Sequence, residues 1–261
     1  MNFSFDTYHK PQTICVKIKT KSPQKISLKI VDFDNLKTCF SDLKIMINGE
    51  KEIQIPMPIT SKKCLLSVSN FANGNLKEDD SFVITEKDIT RIPLQTRYDV
   101  VGLENKKIRY FLNFAQNFCY HASYLEPNKK GEHYKSSEGK FFIEYLPQIN
   151  GNDGYELNTP ARTNKETGVI QISKKSFYHL TVPERMAIIL HEFSHFYLNE
   201  NIDDESEADL NGLLIYLGLG YPREEANSAW IEVFLGAQTP ENAERYKLIQ
   251  KFITDFKNFK I

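Results

Sequence analysis

The chain has 261 residues, which is long for one domain and sufficient for two, and its 41% hydrophobic and 26% charged residues are typical of a soluble globular protein. Its 33 basic and 34 acidic residues are spread along the sequence with a formal net charge of -1, so no basic field is present to gather nucleic acid or an anionic membrane. The opening residues, MNFSFDTYHKPQ, lack the apolar segment of a secretory signal, and no apolar run approaches the roughly 20 residues that span a bilayer, so we expect a cytoplasmic protein.

Residues 1–96 alternate between apolar and polar side chains, which is typical of strands with one buried face. Five strands are predicted from this alternation alone, at residues 15–19, 26–30, 64–68, 82–85 and 88–93. Residues 43–47, Asn48-Gly49 and residues 52–55 predict a hairpin, because Asn-Gly accepts the positive φ angles of a two-residue turn. This first domain is therefore predicted to be a β-sandwich that serves as a binding or assembly module.

From residue 97 onward the apolar residues recur at helical spacing. Thr181 is followed by Pro183 and Glu184, and this combination forms a capping box that opens a helix. Helices are predicted over residues 103–120, from 181 to about 199, from 203 or 204 to 218–220, from 222 to 235 and from 239 to 257, and strands over residues 141–146 and 168–173. The second domain, residues 97–261, thus combines a short sheet with helices, and the chain as a whole belongs to the α+β class.

The segment HEFSH, residues 191–195, places two histidines four positions apart on a predicted helix. Residues i and i+4 lie above one another on one helical face, so His191 and His195 are able to direct ring nitrogens at one point. Zinc binds such nitrogens, and a catalytic zinc keeps one position open for water. Glu192 follows the first histidine and is placed to reach that water without binding the metal. The segment therefore predicts a catalytic zinc site.

The acidic segment ESEAD, residues 205–209, supplies candidates for a third ligand. A short turn between antiparallel helices returns the start of the second helix to the neighbourhood of His195, so Glu205 or Glu207 is able to complete a site of two histidines and one carboxylate. Asp209 lies one helical turn beyond Glu205, where it is placed to accept the other ring N–H of a ligand histidine. The alternative interpretation is a solvated acidic turn that favours a helix start through the helix dipole.

HEFSH followed by ESEAD resembles the HExxH plus ExxAD or ExxSD pattern of gluzincin zinc metallopeptidases. The resemblance covers about 20 residues and implies a zincin-like domain that binds Zn²⁺. It implies His191, His195 and Glu205 as the metal ligands. It also implies Glu192 as the general base and Asp209 as the support of a ligand histidine.

Two features of the spacing refine this resemblance. Nine residues separate His195 from Glu205, which is a shorter link than in the better-known gluzincins, so Glu207 is the alternative ligand. The metzincin pattern does not fit, because Leu198 and Asn201 stand where it needs a glycine and a histidine. The lysine- and asparagine-rich composition, with a β-module ahead of a compact zincin, also resembles proteins encoded by phages of gut bacteria, so a virion-associated location is the alternative to a cytoplasmic one.

The implied reaction is hydrolysis of a peptide bond in a peptide or protein substrate. Zinc would activate a water molecule and polarise the carbonyl, and Glu192 would move the proton from that water to the leaving amine. An extended substrate is expected to pair with a sheet-edge strand. That strand is predicted to consist of Gly168, Val169, Ile170, Gln171, Ile172 and Ser173.

Several alternatives stay open at this point. The residue that stabilises the oxyanion has four candidates, Tyr178, His179, Tyr216 and Tyr246. A protein from a different functional class, a structural or virion assembly protein that binds zinc without turnover and joins partners through its β-module, would carry the same motif. Hydrolysis of a non-peptide amide at the same zinc is a further alternative.

Overall fold

The computed structural model describes residues 1–71, 81–127, 133–198, 204–235 and 239–256. The chain forms two compact units, of which the first comprises Met1–Thr96 with Gly220–Pro222 and the second comprises Arg97–Leu219 with Arg223–Ile261. Within the described ranges the structure is mixed, with three sheets and six α-helices, which agrees with the predicted α+β class. No helix in these ranges combines the length and the apolar character that crossing a bilayer requires.

The first unit is built from two antiparallel sheets. Its strands are β1 (Asn2–Asp6), β2 (Gln12–Thr20), β3 (Gln24–Asp32), β4 (Cys39–Ile47), β5 (Glu50–Met57), β6 (Lys63–Asn70), β7 (Phe82–Val83) and β8 (Ile89–Pro93). One sheet has the order β1-β6-β3-β4, and the other has the order β5-β2-β7 with β8 also paired to β2. The apolar positions of β2 and β3 are fully buried, as their alternation predicts. The predicted strands do not include β1, although Phe3 and Phe5 alternate with polar residues and are half-buried while their neighbours are exposed.

The predicted hairpin at Asn48-Gly49 is wrong, although both of its strands exist. β4 pairs with β3 in one sheet, whereas β5 pairs with β2 in the other. Gly49 has a φ of 80°, but Asn48 does not have the positive φ that a type I′ turn needs at both central positions. Gly49 instead exchanges hydrogen bonds with Thr20, whose N–H donates to the Gly49 carbonyl at 2.8 Å. This contact holds the connection between β4 and β5 beside Thr20, the last residue of β2.

The second unit contains one four-stranded sheet and all six helices. Its strands are β9 (Tyr134–Lys135), β10 (Phe142–Leu146), β11 (Ala161–Thr163) and β12 (Val169–Ser173), and its helices are α1 (Lys106–His121), α2 (Lys174–Phe177), α3 (Val182–Phe193), α4 (Glu205–Gly218), α5 (Arg223–Leu235) and α6 (Pro240–Phe256). The sheet has the order β11-β12-β10-β9, and β10 and β12 run parallel. The predicted helices and both predicted strands are present, although the helix predicted from residue 181 to about 199 is α-helical only as far as Phe193. Residues 199, 203 and 257, at the predicted ends of three helices, lie outside the described residues.

α3 is the central helix of the second unit. Its predicted capping box is confirmed, because the Thr181 side chain accepts from the N–H of Glu184 and the Glu184 carboxylate accepts from the N–H of Thr181. Ten of its twelve residues are buried. Phe193 stacks on Phe111 of α1 with ring centroids 3.7 Å apart. Burial on all sides fixes the rotation of α3 about its axis, and this rotation decides where His191 and Glu192 point.

Candidate metal centre

The side chains of His191, His195 and Glu205 converge in the second unit. The two Nε2 atoms lie 3.1 Å apart. The His191 Nε2 lies 3.4 Å from one carboxylate oxygen of Glu205, and the His195 Nε2 lies 3.4 Å from the other. In the part of the chain that the structure describes, these three residues form the single group of histidine, cysteine and acidic side chains that is close enough to hold a metal ion.

The separations suit a tetrahedral zinc ion. Zinc binds nitrogen and carboxylate oxygen at 2.0–2.2 Å, so neighbouring donors around a tetrahedral ion lie about 3.3 Å apart. The separation of 3.1 Å between the two Nε2 atoms is close to this value, and each Nε2 lies 3.4 Å from a different oxygen of the Glu205 carboxylate, which therefore faces both nitrogens. Two nitrogens and one carboxylate also leave a fourth tetrahedral position for a water molecule or a substrate, as in catalytic zinc sites. The residues present therefore fit the zinc that the sequence predicts.

The two histidines lie in different types of helix. α3 ends at Phe193, and the chain continues as a π-helical turn, Ser194–Leu198, that contains His195. The Ser194 hydroxyl donates to the carbonyl of Leu190 at 2.8 Å, and such a bond four residues back often bends a helix. Single π-turns are frequent at functional sites. The prediction of a regular helix through this segment therefore misses a local widening.

α4 brings Glu205 to the histidines because it packs unusually close to α3. Its first turn is capped by Asp204, whose side chain accepts from two backbone N–H groups. At Gly212 a Cβ atom would lie 2.8 Å from the backbone nitrogen of His191 and 3.0 Å from the carbonyl oxygen of Leu190. Glycine is therefore required where the two helices touch, and this contact sets the distance between Glu205 and the histidines.

Asp209 lies beside Nδ1 of His191, the ring nitrogen that does not face the other candidate ligands. Its Oδ1 lies 2.9 Å from His191 Nδ1, although the ring N–H is not aligned as in a standard hydrogen bond. Asp209 is buried and also accepts from the Trp230 indole at 2.9 Å and from the Arg245 guanidinium at 2.8 Å. Arg245 further contacts Glu205 at 3.3 Å. Sequence reasoning missed Trp230 and Arg245, because no motif or spacing links them to the HEFSH segment.

Glu192 lies beside the histidines in a pocket of about 360 Å³. The residue is 7% exposed, and one carboxylate oxygen accepts from the Thr163 hydroxyl at 2.8 Å. Apolar side chains, including those of Ile188 and Trp230, line the same pocket together with the three candidate ligands. Convergent polar groups within a partly apolar concavity are typical of small-molecule and peptide sites.

The charges of the site shift the pKa values of its members. Burial alone would lower the pKa of His191, but the carboxylates of Asp209 and Glu205 outweigh it and raise this pKa to about 10. The two histidines hold the pKa of the Glu205 carboxyl well below its usual range. Burial opposes ionisation of Asp209, yet His191 and Arg245 lower its pKa below the ordinary value. The carboxylates are therefore ionised at neutral pH.

We expect zinc binding to release a proton and to strengthen as the pH rises. A metal ligand must be a neutral imidazole, whereas His191 keeps its proton up to a pKa of about 10 in the metal-free protein. The apparent affinity should therefore rise by up to roughly tenfold per pH unit between pH 6 and 8. Calorimetry in buffers of different ionisation enthalpy measures the released proton. An affinity that does not change over this range would contradict the expectation.

Other predicted residues lie elsewhere. Glu207 is exposed and does not belong to the donor group formed by the two histidines and Glu205. The described lining of the pocket includes none of the four oxyanion candidates: Tyr178 and His179 are exposed, and Tyr216 is fully buried.

The expectation that residues 168–173 form the edge of the sheet is wrong. β12, Val169–Ser173, pairs with β10 on one side and with β11 on the other, so its backbone groups are already bonded. β11, which is three residues long, is the edge strand instead, and Ala161, Arg162 and Thr163 line the pocket. Such a short strand leaves no alternation in the sequence, and it was therefore not predicted.

No known family, curated protein or solved structure matches this chain. The residues of the pocket and their geometry are therefore the basis for assigning a function.

Proposed function

We propose that the second unit is a zinc-dependent peptidase with a zincin-like arrangement, in which His191, His195 and Glu205 hold the metal. The observation that carries the proposal is the convergence of these three side chains within reach of one metal ion, next to the buried Glu192 in a pocket. A purely structural zinc usually has four protein ligands, whereas the described donor group has three.

Each residue of the pocket has a separate role in the proposed reaction. Zinc, when bound, supplies a Lewis acid that polarises a carbonyl and brings the pKa of a water ligand near neutrality. Glu192 accepts the proton of the attacking water and later delivers it to the leaving amine. Asp209 orients the His191 ring, and Arg245 contacts both Asp209 and Glu205 and balances their negative charge.

The substrate would be a peptide in extended conformation that pairs with the edge strand β11. Hydrogen bonds run from Ser173 to the Pro160 carbonyl and from the Asn164 N–H to Val169, so these main-chain groups face β12. Antiparallel pairing alternates along a strand, and the main chains of Ala161 and Thr163 therefore face the other way. Backbone pairing at this edge would bring the scissile bond past Glu192.

For the first unit we propose a β-sandwich that binds a protein partner. The sandwich is supported by the two antiparallel sheets, each with fully buried apolar positions, for example Ile14 in β2 and Leu28 in β3.

Metal analysis and a peptide-library assay test the proposed function. The purified protein is expected to carry about one zinc per chain and to cleave peptides, a chelator should remove both properties, and added zinc should restore them. His191→Ala should lose the zinc, because only two protein ligands, His195 and Glu205, would remain and their affinity for the ion would be too low. The matched control is His133→Ala, which changes a histidine outside the donor group and should keep the metal.

Two outcomes would contradict the proposal. Unchanged zinc content in His191→Ala would show that the ligand assignment is wrong. A zinc-loaded wild-type protein that cleaves no peptide in the library would favour the structural or assembly alternative.

A further inference from the structure

Thr163 is the residue of β11 that touches the proposed base. Its hydroxyl lies 2.8 Å from a carboxylate oxygen of Glu192 and 2.9 Å from the backbone carbonyl of the same residue. A threonine hydroxyl has one proton and donates to one acceptor at a time. The carboxylate is the stronger acceptor, because hydrogen bonds to an ionised group are shorter and stronger than those to a neutral one. The Thr163 bond therefore engages one oxygen of Glu192 and leaves the other available.

Glu192 needs such a contact to hold one orientation. A glutamate side chain rotates about three bonds, and a general base must lie within hydrogen-bond reach of the proton that it takes. Burial of Glu192 narrows this freedom, but the neighbouring Ile188 and Ala161 are apolar and do not bond to a carboxylate. A hydrogen bond from a residue fixed in a sheet selects one orientation among those that burial allows.

Thr163 also belongs to the strand that borders the pocket. It pairs with Ile170 of β12, so its backbone position is set by the sheet. Its main-chain groups face away from β12, whereas its side chain reaches α3. One residue therefore joins the strand that an extended peptide would contact to the acid that would act on that peptide.

We propose that Thr163 is a positioning residue for Glu192 and that it couples an extended substrate on β11 to the orientation of the base. The proposal rests on the proposed peptidase function for its kinetic consequence. Its structural part, the dependence of the Glu192 orientation on the Thr163 hydroxyl, does not.

The kinetic test compares Thr163→Val, which removes the hydroxyl at nearly constant shape, with Thr163→Ser, which keeps it. Thr163→Val should retain zinc and a KM within about twofold of wild type, while kcat falls roughly ten- to a hundredfold, as for the loss of a hydrogen bond to a charged group. Thr163→Ser should recover kcat to within about threefold of wild type. The matched control is Thr254→Val on the exposed face of α6, whose hydroxyl bonds to a backbone carbonyl and lies outside the pocket.

A crystal structure of each zinc-loaded variant gives a readout that does not need activity. One Glu192 rotamer is expected in wild type and in Thr163→Ser, and a different or divided rotamer in Thr163→Val. An unchanged Glu192 rotamer and an unchanged kcat in Thr163→Val would overturn the proposal. Equal losses of kcat in Thr163→Val and Thr163→Ser would also overturn it, because they would show a structural role for Thr163 that does not depend on its hydroxyl. If Thr163→Val changes the Glu192 rotamer while the wild-type protein cleaves no peptide, the positioning role stands and the peptidase function is refuted.

Discussion

Glu192→Gln is expected to retain zinc and to lose hydrolysis of a cleavable peptide by at least roughly a hundredfold, the lower bound for removing a general base. Glutamine has nearly the same shape and still offers an oxygen to the Thr163 hydroxyl, so the pocket should keep its structure. It is not able to take a proton from water at neutral pH. The loss should therefore appear in kcat, with KM and zinc content close to wild type. Steady-state kinetics and metal analysis of the same preparation measure both quantities.

The control for Glu192→Gln is Glu224→Gln, the same chemical change at an exposed position in the first turn of α5. It should leave kcat and zinc content unchanged. Hydrolysis by Glu192→Gln at the wild-type rate would exclude Glu192 as the base. A parallel loss of zinc in this variant would instead show that Glu192 supports the metal.

Gly212→Ala is expected to destabilise the protein and to weaken zinc binding. Alanine in place of glycine within a helix normally stabilises by about 1 kcal/mol. Here the new Cβ would lie 2.8 Å from the backbone nitrogen of His191, and backbone atoms are not able to move aside as a flexible side chain does. Overpacking of this kind costs roughly 1–3 kcal/mol. The separation of α4 from α3 would also move Glu205 from the histidines and should reduce zinc affinity by at least about tenfold.

Thermal unfolding of the metal-free protein and a zinc competition titration measure these two effects. Asn211→Ala is the matched control, because it gives the same helix a better helix former without a new contact at the α3 backbone. Its amide nitrogen has no hydrogen-bond partner among the described residues, so its removal costs little. Wild-type stability and zinc affinity in Gly212→Ala would show that the close approach of the helices does not determine the site.

The parts of the fold that the sequence predicts are those fixed by local interactions. The capping box at Thr181 and Glu184 is complete within four residues, so the start of α3 is predictable. The connection at Gly49 depends on hydrogen bonds to Thr20, which is 29 residues away, and the local Asn-Gly signal therefore predicts the wrong pairing. β11 escapes prediction for a different reason, since three residues are too few to show an alternation.

In the candidate site, too, the sequence predicts the local contacts and misses those between distant segments. The i and i+4 spacing of His191 and His195 is local and predicts their convergence. Trp230 lies 21 residues from Asp209, and Arg245 lies 36 residues from it, so their contacts depend on how α5 and α6 pack in the second unit. The Thr163 hydroxyl donates a hydrogen bond to Glu192, which lies 29 residues later in the sequence. The residues that balance the charge of Asp209 and orient the Glu192 side chain therefore lie in segments that carry no recognisable motif.

The dependence on Arg245 has a consequence for biosynthesis. The ribosome completes both histidines, Glu205 and Asp209 before it makes α6, so the carboxylates emerge ahead of the cation that neutralises them. A nascent chain without α6 would bury Asp209 beside His191 and the Trp230 indole but without the Arg245 guanidinium, and removing one partner from a buried ion pair costs about 3–5 kcal/mol. The centre would therefore assemble late in translation, and truncated products would be left open to quality-control proteases.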